Sequence, residues 1–60
     1  MLKLYRFYDL LHKCAPVVLM GGSWAVYVGE VKGIPDGFDY CVVSDFYMDN
    51  DGSTVFILEV

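Results

Sequence analysis

The sequence predicts an α+β fold, with an N-terminal helix packed on a four-stranded antiparallel sheet, the sheet being a meander of two hairpins. Three observations carry that reading. The run Val17–Val31, VVLMGGSWAVYVGEV, is apolar and is broken near its middle by Gly21-Gly22-Ser23, the pattern of two strands joined by a tight turn. A second pair of apolar runs flanks Asp49-Asn50-Asp51-Gly52, and Asp-Gly is the strongest hairpin signal in the chain. Ahead of both, apolar residues recur at a helical period. A small closed β-barrel with one helix is the alternative that the same pattern allows. Sixty residues make a single domain, 1–60, and one that buries a modest fraction of its unfolded surface.

The helix is expected over Leu4–Cys14. Leu4, Phe7, Tyr8, Leu11, Cys14 and Ala15 fall on one face of a 3.6-residue period. Asp9 and Lys13 form an i, i+4 pair in the favourable order. Pro16 ends the element, because the residue before a proline avoids the α region. Leu2, Leu4 and Arg6 also alternate with Lys3, Tyr5 and Phe7, so a strand-like start is open. The first strand is expected over Val17–Met20 and the second over Trp24–Val31, with Gly29 marking a bulge. Lys32–Asp39 is a loop, dense in Gly33, Pro35, Asp36 and Gly37. Tyr40–Met48 is the third strand and Ser53–Val60 the fourth.

These strands lack the alternation of a sheet with one wet face. In the fourth, Val55 and Ile57 point one way and Phe56, Leu58 and Val60 the other. The third sets Val42, Phe46 and Met48 against Cys41, Val43 and Tyr47. The second sets Trp24, Val26 and Val28 against Ala25, Tyr27 and Val31. An eleven-residue helix, about 16 Å long, covers one face only. The other face has to meet another chain or curl into a barrel, and a homodimer is the expected outcome, since two-fold association is the commonest closed symmetry.

Net charge is −4, unevenly placed. Residues 1–16 hold Lys3, Arg6 and Lys13 against Asp9, whereas residues 17–60 hold Lys32 against Glu30, Asp36, Asp39, Asp45, Asp49, Asp51 and Glu59. Four basic residues cannot track a phosphate backbone, so nucleic acid is not an expected partner. The acidic balance fits solubility first, and a basic protein partner second. The start of the chain does not read as a signal peptide, because Asp9, His12 and Lys13 interrupt any apolar core region. The uncharged run Cys14–Gly29 is shorter than a spanning helix and contains Pro16 and Gly21-Gly22. No membrane association and a cytoplasmic location are expected.

Chemistry-bearing patterns are few. Cys14 and Cys41 show no C-x-x-C spacing; they read as free buried thiols, with a single disulfide between them as the alternative. His12 and Cys14 are two apart on a helix and face different ways, which argues against a metal site with Cys41. Asp49-Asn50-Asp51-Gly52 has Tyr47 and Leu58 where a calcium loop needs acids. Gly21-Gly22-Ser23 leads into a strand, whereas common phosphate loops lead into a helix. One histidine and three serines without a nucleophile motif give no catalytic set. The chain is expected not to be an enzyme and to hold no cofactor.

Aromatic residues are 17% of the chain, more than one small core needs, and Trp and Tyr are enriched at interfaces. The candidate binding residues are Trp24, Tyr27, Tyr40, Asp45, Tyr47, Asp49 and Asp51. The pieces Tyr8-Asp9-Leu10-Leu11, Gly29-Glu30-Val31-Lys32-Gly33-Ile34-Pro35 and Asp51-Gly52 through Ile57-Leu58-Glu59-Val60 together resemble short open reading frames of bacteriophages and prophages. Those carry a helix, a hairpin, a Gly-x-Val…Ile-Pro connector and a closing hairpin with an Asp-Gly turn. The resemblance implies a small interaction protein that binds and modulates a host protein, such as an inhibitor of a defence system. A dimeric binder or sponge for a nucleotide-like small molecule is the alternative function. There, Tyr and Trp would stack on the base while Lys3, Arg6 or Lys13 meets phosphate.

Overall fold

The computed structural model describes residues 2–59; Val60, expected in the fourth strand, lies outside them. Four strands form one sheet: β1 (Pro16–Gly21), β2 (Trp24–Glu30), β3 (Val43–Met48) and β4 (Thr54–Leu58). Both expected hairpins form, β1 with β2 and β3 with β4. The expected meander does not. The order is β2-β1-β4-β3, with β1 and β4 parallel at the centre, so the sheet is mixed. Nor does the sheet close into a barrel, for β2 and β3 are its two edges. Composition explains the order in part, though it does not mark β2, whose Trp24–Val28 is also apolar, as an edge. β1 and β4 read VVLM and TVFIL, continuous apolar runs suited to burial between neighbours. β3 carries Ser44 and Asp45, which belong at an edge.

The turn residues do what their chemistry allows. Gly22 has φ +70 and Gly52 φ +90, a region that side chains with a Cβ rarely adopt. Gly22 thus closes the β1–β2 hairpin with Ser23, and Gly52 donates its N–H to the Asp49 carbonyl (3.1 Å) in the β3–β4 turn.

The N-terminal element departs from expectation. Leu4–Leu10 is a 3₁₀ helix, not an α-helix to Cys14, and Leu11 is already extended (φ −121, ψ 146). A three-residue turn stacks Leu4 and Phe7 in line, so the two apolar residues meet the sheet without the α-helical period. Both are buried against the sheet. The strand-like start is real but short. Lys3 bridges Val42, and the Leu4 and Tyr5 amides donate to the Cys41 and Asp39 carbonyls. Those bonds set where the helix begins.

After β2 the chain makes two single 3₁₀ turns, Val31–Gly33 and Asp36–Phe38, before reaching β3 at the opposite edge. This connector and the helix cover the same face. The core cluster is Leu4, Phe7, Val31 and Ile34 above Val17, Leu19, Val43, Phe56 and Leu58.

The irregularity expected at Gly29 falls elsewhere. β1–β2 pairing steps from Leu19↔Tyr27 to Met20↔Ala25, which leaves Val26 as the extra residue. Gly29 has another reason to lack a side chain. A Cβ there would meet the Tyr27 hydroxyl oxygen at 2.6 Å, and one at Gly33 would meet it at 2.5 Å. That hydroxyl donates to the Glu30 carbonyl (2.7 Å), tying the end of β2 to the following turn. Gly33→Ala is expected to cost about 1 kcal/mol through this overlap. Most of the loss should vanish in a Tyr27→Phe background, where the nearest remaining ring atom is 3.6 Å away. Urea unfolding of the four-member cycle reads the coupling.

Candidate interaction surface

The strand register sorts every sheet residue onto one of two faces. On the covered face the cross-strand rows are Tyr27–Leu19–Phe56–Phe46 and Gly29–Val17–Thr54–Met48. On the opposite face one row runs Val28–Val18–Val55–Tyr47, and the next runs Ala25–Met20–Ile57–Asp45, with Val26 bulging beside Ala25. Both rows of this open face are apolar apart from Asp45. Val28 is 69% exposed, Tyr47 52% and Val26 45%. Val55 is buried yet stands outside the core cluster. The covering layer lies on the other side of the sheet.

The seven residues singled out in the sequence fall in five places. Asp45 and Tyr47 lie on β3 and share the open face. Asp49 and Asp51 shape the β3–β4 turn. Asp49 accepts the Asn50 N–H (2.7 Å) and Asp51 the Ser53 N–H (3.0 Å). The backbone bond from Ser53 holds the exposed Asp51 carboxyl below its usual range. Trp24 starts β2 at the far end of the sheet, in the row of Gly21, Leu58 and Val43, and is 77% exposed. It is not brought near the acidic turn. Tyr27 is half-buried, with its hydroxyl engaged by Glu30.

Tyr40 makes a corner of its own. Its ring meets Tyr5 edge-on at 5.4 Å, and the Lys3 ammonium sits 5.4 Å from the ring centre, a cation–π contact. Next to it, Tyr8 donates to Asp39 (2.8 Å). Burial, then the bond to Asp39, pushes the Tyr8 hydroxyl well above its ordinary value. It therefore remains a protonated donor at neutral pH and locks helix to connector. Both cysteines are free thiols, but Cys14 is exposed rather than buried and Cys41 is half-buried. The Cys14 N–H donates to His12 Nδ1 (3.1 Å).

Sequence reasoning missed Val26 and Val28 as exposed residues with Val18 half-buried beside them, because alternation within a strand does not say which face is covered and the bulge at Val26 shifts it. Among the described residues, no helix is long and apolar enough to cross a membrane. Compared with family models, curated proteins and solved structures, the chain matches none.

Proposed function

We propose that this chain is a small non-enzymatic interaction protein of the phage type. It works as a homodimer in the host cytoplasm and binds and modulates a host protein, for which a component of a defence system is the leading class. The observation that carries the reading is the open sheet face, two adjacent apolar rows across all four strands. Exposed apolar surface of that extent marks an association site. The acidic residues Asp45, Asp49 and Asp51 flank it along β3 and its turn, where they favour a basic partner and set a salt-sensitive on-rate. Immobilised protein exposed to host lysate should retain a stoichiometric partner at low salt and release it as salt rises. Retention of nothing at low salt would count against the reading. A nucleotide-like ligand is the second reading, favoured by the corner where Lys3 lies beside Tyr5 and Tyr40. Saturating mono- or cyclic nucleotides would then raise the melting temperature by mass action, and an unchanged temperature across the panel leaves the first reading standing.

A further inference from the structure

We infer that a second copy of this chain covers the open face, with the two-fold axis running along the strands, so that Tyr47 of each copy packs on Val28 of the other. The inference rests on the homodimer reading above and deepens it by naming the surface and the axis. Three observations choose this occupant and this arrangement.

The first is area. With Val28, Tyr47 and Val26 between 45% and 69% exposed, and Met20, Ile57, Val18 and Ala25 around them, the face presents on the order of 500 Å² per copy. Two copies then bury about 1,000 Å², the lower bound of a specific interface. A face that reaches this bound with itself satisfies an isologous dimer.

The second is shape and charge. The row Val28–Val18–Val55–Tyr47 has its bulky member on β3 and a small one on β2. An axis along the strands lays β3 of one copy on β2 of the other, so Tyr meets Val at both ends and two valines meet in the middle. It also sets the two Asp45 carboxylates at opposite rims, where each stays hydrated. An axis across the strands lays β3 on β3. That crowds both Tyr47 rings and both Asp45 carboxylates on one side and leaves a gap over β2. Aligned stacking of two sheets matches the usual packing of sandwich folds.

The third concerns the competing route. β2 is an edge strand free of charge from Trp24 to Gly29, open to pairing with another β2. Such pairing widens the sheet but leaves both open faces on one side and still exposed. Stacking face to face removes that exposure.

The test is thiol cross-linking, with Cys14→Ser and Cys41→Ala in every chain. Tyr47→Cys and Val28→Cys chains are mixed, equilibrated and treated with a short bis-maleimide, and light scattering gives the mass beforehand. The expected result is a cross-link between the two kinds of chain, with little or none in Tyr47→Cys alone. Strong cross-linking of Tyr47→Cys with itself overturns the axis. A two-chain species with no cross-link in any sample overturns the surface while the homodimer reading survives. A one-chain mass for the parent protein overturns both. As a second readout, Tyr47→Lys, a change at an exposed position, should drop the mass from two chains to one at micromolar concentration. An unchanged two-chain mass there also overturns the surface.

Discussion

Phe56→Ala is expected to leave the domain largely unfolded at room temperature. Phe56 is 1% exposed on a central strand, between Leu19 on one side and Phe46 on the other. Its ring lies 5.1 Å from that of Phe7 and 6.1 Å from that of Phe46, while Phe7 and Phe46 are 5.3 Å apart. Three rings thus join helix, edge strand and central strand. Truncating a buried phenylalanine costs about 3–5 kcal/mol, and the lost aromatic pairs add to that. A chain of this length has a total stability of about 3–9 kcal/mol. Circular dichroism and chemical-shift dispersion read the outcome. A cooperative transition close to that of the parent protein would mean that the helix and connector do not seal the core through this ring.

The second large effect separates two neighbouring residues. Leu58→Lys should unfold the chain, and Ile57→Lys should leave it folded but alone. Leu58 is 4% exposed and belongs to the core cluster with Leu4 and Val17. An ammonium placed there is desolvated, with no acidic partner inside the cluster, a cost of several kcal/mol. Ile57 lies on the other face between Met20 and Asp45. A lysine there reaches solvent in the single chain, with the Asp45 carboxylate in the same row. In the proposed dimer it would sit within the apolar contact. Light scattering should report one chain for Ile57→Lys at concentrations where the parent gives two, with a melting temperature independent of concentration. If Leu58→Lys folds and Ile57→Lys does not, the core lies on the Ile57 side of the sheet and the open face on the Leu58 side.

Local residue chemistry carries much of this fold. The two hairpins, their Gly-Ser and Asp-Gly turns, the cluster of turn-formers after β2 and the apolar character of both sheet faces are all legible in the sequence. A positive φ is fixed by the absence of a Cβ and alternation by the pleat, so the turns and the faces of β1 and β4 can be read from neighbours in sequence. The bulges in β2 and β3 overturn the expected faces, setting Trp24 with Tyr27, Ala25 with Val28, and Val43 with Phe46 rather than Tyr47. The sequence contains part of the reason for the strand order. β3, with Asp45 near its start, suits an edge, but β2, whose Trp24–Val28 is as continuously apolar as β1 or β4, does not announce itself as the other edge. Local pattern alone, however, treats a meander and a β2-β1-β4-β3 sheet alike, since both use the same two hairpins.

What tertiary structure alone decided is non-local. The pairing of β1 with β4 joins residues far apart in the chain, and its strength depends on burial of both strands at once. The 3₁₀ helix at Leu4–Leu10 was settled by bonds from its first amides to Cys41 and Asp39, which no window of neighbouring residues contains. The same holds for Tyr27. Its side chain reads as an interface aromatic in sequence, whereas its hydroxyl closes on Glu30 above two glycines. The choice of open face was decided last. Residue parity pairs Ile57 with Val55 and Phe56 with Leu58, but only the packing of helix and connector against one side puts Phe56 and Leu58 in the core cluster and leaves Val55 and the half-buried Ile57 outside it. A strand's two faces are equivalent until something packs against one of them, and that something comes from elsewhere in the chain.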